Sequence, residues 1–129
     1  MDDSFPADPF EKLGYSVEVS GQKSYNGVAI ISKIKAENVK KGFYGCTKFD
    51  QNIEIFQDQK RFISADIKGL KIINVYVPNG SSLESSKFEY KINWLNCLAS
   101  FLDEQEKKGE LICLVGDFNV APSNLDIHD

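Results

Sequence analysis

Short apolar runs alternate with turn-rich polar gaps along this chain, and one long stretch of helical period lies between two of the runs. "YSVEVS" (15–20) alternates apolar and polar residues and predicts a half-buried strand. "GQKSYNG" (21–27) is rich in turn formers, and "VAIISK" (28–33) predicts a buried strand. "RFISADIKG" (61–69) alternates again, with Phe62, Ser64 and Asp66 on one side and Ile63, Ala65 and Ile67 on the other. "KIINVYVPNG" (71–80) predicts a buried strand stopped by Pro78, with Asn79-Gly80 as a turn. Near the start, "ADPFEKLGY" predicts a short helix with Asp8-Pro9 as N-cap and first-turn proline and Gly14 as the stop. Residues 37–60 have weak periodicity and predict no definite element.

The clearest helix follows residue 80. Its start is signalled twice, by Ser86-Lys87-Phe88-Glu89 as a capping box and by Ser81–Glu84 as an alternative. At ~100° per residue, Phe88, Ile92, Leu95, Leu98, Ala99 and Leu102 share one sector, and Tyr90, Trp94, Cys97 and Phe101 widen it on one side. Glu89, Asn93, Asn96, Ser100, Asp103 and Glu104 take the opposite arc, and the lysines with Gly109 close the helix. Next comes "LICLVGDFNVAP" (111–122), an apolar run that passes through Gly116 into Asp117 and Asn119.

Strand 71–77, helix to about 107 and strand 111–115 make a βαβ unit. Both strands are near-continuous apolar runs, which predicts cover on both faces. A crossover of this kind makes its strands parallel, so they end on the same edge. Tyr76, Asn79, Asp117 and Asn119 are therefore expected along one rim, where open α/β sheets bind ligands.

Composition narrows the class. The chain has 129 residues, 42% hydrophobic and 26% charged, enough for one domain with a core. No run reaches the ~18 apolar residues of a membrane span. Cys46, Cys97 and Cys113 are scattered, with no C-x-x-C, and predict reduced thiols in a cytoplasmic protein rather than a zinc site. The net charge of −4 argues against a protein that coats nucleic acid through a global basic field. It leaves open an enzyme that meets phosphate through a metal ion, because the ion supplies local positive charge. Arg61 is the single arginine among fifteen basic residues, so a bidentate phosphate fork has one possible source.

An Asp at a strand tip serves as a general base or as a ligand for a hard cation. A neighbouring Asn orients it or donates to a phosphoryl oxygen, and a Tyr hydroxyl donates to the same oxygen. Together they suit attack of water on a phosphate, although one Asp, one Asn and one Tyr do not hold Mg²⁺ firmly. The plainer alternatives are a structural Gly-Asp turn with Asx hydrogen bonds and, for Tyr76, a tyrosine at the edge of the core.

"INVYVPNG" (73–80), the helix "KFEYKINWLNCL" (87–98) and "LVGDFNVAPSNLDIHD" (114–129) resemble, in order, the exonuclease III family of DNA-repair nucleases, which includes apurinic/apyrimidinic endonucleases. "FPADPFEKLGYSVEVSGQKSYNGVAIISK" (5–33) is similar to the family segment leading into its G-V-A-[IL]-[IL]-[ST] strand, and Arg61 stands where the family has an Arg opening a strand. The resemblance implies an α/β fold, part of a four-layer α/β/β/α sandwich. It implies Mg²⁺- or Mn²⁺-dependent cleavage of duplex DNA 5′ to abasic sites and 3′→5′ removal of nucleotides. On it, Asp117 orients or deprotonates the attacking water, Asn119 holds that carboxylate and the scissile phosphate, and Tyr76 contacts the phosphate. Arg61, Asn79, Tyr25 and Asn26 grip the DNA backbone, with a plain turn as the alternative for Tyr25 and Asn26. Asp117 and Asn119 are this chain's candidate metal ligands.

The family's first strand carries an Asn and its second ends in Gln-Glu-Thr, whose Glu is the main metal ligand; neither is among these residues. Nor is the family's terminal Asp-His pair, since His128 belongs to "DIHD" and reads as a loop residue. The expectation is a partial domain over residues 1–129, inactive or nearly so alone and prone to self-association through exposed sheet edges. Two alternatives stand beside it: another superfamily phosphodiesterase acting on lipid or inositol phosphates, and a remnant that binds DNA or a partner without chemistry.

Overall fold

The computed structural model describes residues 5–23, 25–43 and 59–126. Cys46 and His128 lie outside the described residues. Helix α1 (Ala7–Lys12) begins before the Asp8-Pro9 signal, with Pro6 as N-cap and no side-chain cap. Pro9 occupies the first turn as expected, where the missing N–H would have had no intrahelical acceptor. Gly14 stops the helix as expected. At φ 81° it donates to the Glu11 carbonyl (2.9 Å), while Tyr15 donates to Phe10 (3.0 Å), the paired bonds of a Schellman end.

Strands β1 (Ser16–Gly21) and β2 (Gly27–Ser32) form an antiparallel hairpin with Gly21 opposite Gly27. A second sheet has the order β3 (Glu37–Lys40), β4 (Phe62–Ile67), β5 (Leu70–Tyr76), β6 (Leu111–Asp117). Strand β3 lies in the stretch without clear periodicity. It is mostly polar, and its pairing with β4 is irregular between Glu37 and Lys40. Strands β4 and β5 are antiparallel, and β5 and β6 are parallel, joined by helix α2 (Ser86–Lys107). The βαβ unit read from spacing is present.

The alternation along β4 separates two cores. Ile63 and Ala65 meet Val28 and Ile30 of β2, with Ile67, Ile72 and Tyr76 at the margin. Phe62, together with Ile73, Val75 and Val77, packs under Trp94, Cys97, Leu98 and Phe101 of α2. Phe43 completes this second core, with its ring 4.7 Å from Phe62 and 5.1 Å from Trp94. The layers run α2, four-stranded sheet, hairpin, with α1 packed on β1. This is an α/β fold, part of the α/β/β/α arrangement.

Three expectations change. Helix α2 is capped by Ser85, whose hydroxyl accepts from the Phe88 N–H at 3.2 Å, so Phe88 rather than a Glu holds the N3 position. The face of α2 that is buried centres on Trp94, Cys97, Leu98 and Phe101, leaving Ile92 exposed: the helix rolls its aromatic flank onto the sheet. Strand β6 is covered on one face only. Ile112 and Leu114 pack beneath α2, but Leu111 is 70% and Val115 42% exposed. The cause is topology, since among the described residues β6 ends the sheet and β2 packs over β4 and β5. No described helix is long and apolar enough to cross a membrane.

Candidate active site

Strand β6 runs two residues past its expected end, to Asp117, and Gly116 is the reason it can. Gly116 is a strand residue at φ 134°, paired with Val75, not part of a turn. A Cβ there would lie 1.9 Å from the Val75 carbonyl oxygen. The glycine lets two parallel strands close tightly at their ends, and the next pair in register is Tyr76 opposite Asp117. The ladder then continues, with Val77 N–H donating to the Asp117 carbonyl at 2.8 Å.

Beyond Asp117 the backbone turns over. The Asp117 Oδ1 accepts the Asn119 backbone N–H at 2.9 Å, so the Asx hydrogen bond of the plainer reading is present. Asn119 takes a left-handed φ of 49° and its side-chain Nδ2 donates to the Val77 carbonyl at 2.8 Å. Its hold on Asp117 therefore runs through the backbone, while its amide ties the tip of β6 to the end of β5. The Asp117 residue is exposed.

On the other flank of Tyr76, Arg61 opens β4. Its guanidinium lies 4.6 Å from the centre of the Tyr76 ring, a cation–π contact, and donates to the Tyr76 carbonyl at 3.3 Å. Gln59 Oε1 accepts from Arg61 Nε at 2.8 Å and fixes the plane. Arg61, Tyr76 and Asn79 line one cavity of about 470 Å³, together with Gln59, Pro78, Ser86, Lys87 and Tyr90. Asn79 Oδ1 accepts from Ser81 N–H at 2.9 Å and so shapes the loop into α2. Burial pushes the Tyr90 hydroxyl up to about 12, against the pull of the Arg61 charge.

The structure thus brings Arg61, Tyr76 and Asn79 into one cavity, with Asp117 and Asn119 beside it at the tip of β6, outside its lining. It does not bring Tyr25 and Asn26 into the cavity: both lie at the β1–β2 hairpin tip, Tyr25 80% exposed and Asn26 at φ 64°. Sequence reading missed Gln59, Ser86 and Lys87. Lys87 carried a usable signal, a cation in the first turn of a helix that enters at the rim.

The donor set does not complete a metal centre. Among the described residues no three His, Cys, Asp or Glu groups converge on one point. Asp117 is the carboxylate at the tip, and one of its oxygens already accepts the Asn119 N–H. A hard divalent cation needs more oxygen ligands than this.

The sequence profile of the endonuclease/exonuclease/phosphatase family matches residues 2–129. The chain belongs to the endonuclease/exonuclease/phosphatase family. Within it, the relatives are of exonuclease III and AP endonuclease type. The chain is 34% identical to exodeoxyribonuclease III of Haemophilus influenzae over 131 aligned positions, covering 98% of this chain and 46% of that protein. It superimposes with a TM-score of 0.82 on an AP endonuclease from Archaeoglobus fulgidus, at 36% identity, covering 99% of this chain and 46% of that one. A 3′ phosphatase, NExo, from Neisseria, solved with product DNA hairpin, matches with a TM-score of 0.81 and 37% identity, covering 98% and 46%. This family member therefore spans under half the length of the relatives it matches.

Proposed function

We propose that this chain carries the phosphate-facing half of a DNA-repair nuclease of the exonuclease III type, one that hydrolyses duplex DNA 5′ to abasic sites and removes nucleotides from 3′ ends in the cytoplasm. The observation that carries this reading is the pairing of Tyr76 with Asp117 at the tip of two parallel strands, beside a cavity holding Arg61 and Asn79.

In this reading Asp117 orients or deprotonates water, with Oδ1 fixed by the Asn119 N–H and Oδ2 left to act. The Tyr76 hydroxyl donates to a non-bridging phosphoryl oxygen. Arg61, stacked on the Tyr76 ring, and Asn79 bind the DNA backbone along the cavity. Tyr25 and Asn26 would meet the duplex from the hairpin tip. Mg²⁺ or Mn²⁺ is the proposed cofactor and would supply positive charge to the phosphate. Asp117, with Asn119 beside it, would give one part of its ligand set, and the described residues do not give the rest. Residues 1–129 alone are accordingly expected to turn over little or no DNA. The thin donor set also favours a second reading, a chain that binds DNA without cleaving it.

An end-labelled duplex with one abasic site, incubated with the chain in Mg²⁺, tests the nuclease reading. Little or no incision with measurable binding is expected, and whatever turnover occurs should fall about 10³-fold or more in Asp117→Asn. Absence of both binding and incision would overturn the nuclease reading.

A further inference from the structure

Helix α2 contributes a residue to the tip of β6 that no motif marks. Lys91 is 9% exposed, and its Nζ donates at 2.5 Å to the backbone carbonyl of Asn119. Among the described residues it makes no ion pair with a carboxylate. Packing the Lys91 side chain here and aiming its ammonium at one backbone carbonyl costs side-chain freedom that an exposed lysine would keep. The loop before the helix is shaped around its stem: a Cβ on Gly80 would lie 3.1 Å from Lys91 Cδ and 3.1 Å from Phe88 Cδ2. Asn119, in turn, holds a left-handed φ of 49°, uncommon without glycine. Three anchors fix it there: its N–H on Asp117 Oδ1, its Nδ2 on the Val77 carbonyl, and its carbonyl under Lys91. Without the third, only the first two resist a return to ordinary backbone, and the first is the bond that holds the Asp117 carboxylate.

We propose that Lys91 is a positioning residue, whose ammonium locks the Asn119 peptide and, through the Asn119 N–H, the orientation of Asp117. The proposal deepens the nuclease reading and rests on it for its purpose, while its geometry is testable separately. The test is hydrogen exchange by NMR on the chain, as wild type, Lys91→Met and Lys91→Arg, with an abasic-site duplex added in a second titration. In Lys91→Met, exchange at the Asn119 amide is expected to rise about tenfold or more, with the Val75 amide in the core unchanged. Lys91→Arg is expected to restore most of the protection, because it keeps a cationic donor at this position. The duplex is expected to shift Asp117 and Asn119 in the wild type and less in Lys91→Met. Unchanged exchange at Asn119 in Lys91→Met would overturn the proposal. Equal loss at Asn119 and Val75 in both variants would also overturn it, by making Lys91 a residue of the core. If the duplex shifts nothing in the wild type while Lys91→Met still frees Asn119, the positioning role stands and the nuclease reading fails.

Discussion

Gly116 decides whether Asp117 is a strand residue or a turn residue. Its missing Cβ leaves room for the Val75 carbonyl, 1.9 Å from where that atom would sit. Gly116→Ala forces two backbones apart at the position before the Tyr76–Asp117 pair. A loss of about 3 kcal/mol is expected, read as a lower urea midpoint with an unchanged slope. Tyr90 gives a second prediction. Burial pushes its hydroxyl up to about 12 in the folded chain, above the ordinary tyrosine value of 10.0. The folded state therefore keeps the proton longer than the unfolded state. Stability from this group is full below pH 10 and is lost as pH rises through 12. Tyr90→Phe should flatten the alkaline limb of the melting temperature against pH. At the level of single residues the sequence named Tyr76, Asp117, Arg61 and Asn79 as candidates but not what holds them. Lys91 reads as an ordinary helix lysine, and the Asn119 bond to Val77 joins residues 42 positions apart, which no local pattern reveals.

Among the elements, α2 and the strands it joins were legible because each buries enough apolar surface to impose its own period. Strand β3 was not, since its pairing is irregular and three of its four residues are polar. Phe43 was lost for a similar reason, a core ring carried on an irregular segment and held by Phe62 and Trp94. The start of α2 was displaced by one residue because serines stand at 81, 82, 85 and 86, and only the tertiary setting selects Ser85. Ser85 also donates to the Gly80 carbonyl at 2.7 Å, tying the helix start to the rim loop. Ser85→Ala is expected to cost about 1 kcal/mol and to raise amide exchange in the first turn of α2, beside Ser86 and Lys87 of the cavity. At the far end of the β4–β5 hairpin, burial pushes the Asp66 carboxyl up, but hydrogen bonds from Lys71 and Asn38 more than offset it and leave it below 3.8. The unfolded state thus takes up the proton first. The stabilisation is present above the unfolded value and falls away as pH drops through the folded one. Asp66→Asn should flatten the acid limb of stability against pH.

For the whole molecule, the main consequence comes from β6 as an end strand. One edge of β6 has no strand beside it among the described residues, and Leu111 and Val115 face away from any covering layer. Such an edge pairs readily with another copy. Light scattering after size exclusion is expected to show a mass that rises with concentration, and Val115→Lys should return the chain to monomer. The apolar run of β6 suggested cover on both faces because sequence records that a strand can be buried, not which neighbours are present to bury it. The same limit applies to the site. The rim of Tyr76, Asp117 and Asn119 is assembled here, while no three His, Cys, Asp or Glu groups among the described residues converge on one point. The rim of Arg61, Tyr76, Asn79, Asp117 and Asn119 is expected to receive a DNA phosphate. Fluorescence anisotropy of a labelled abasic-site duplex, titrated with wild type and Arg61→Ala over a range of salt concentrations, tests it most directly. Binding by the wild type is expected, with Arg61→Ala weakening it and lowering the slope of log affinity against log salt by about 0.9, the loss of one phosphate contact. Identical affinity and slope for the two proteins, or no binding by the wild type, would contradict the account.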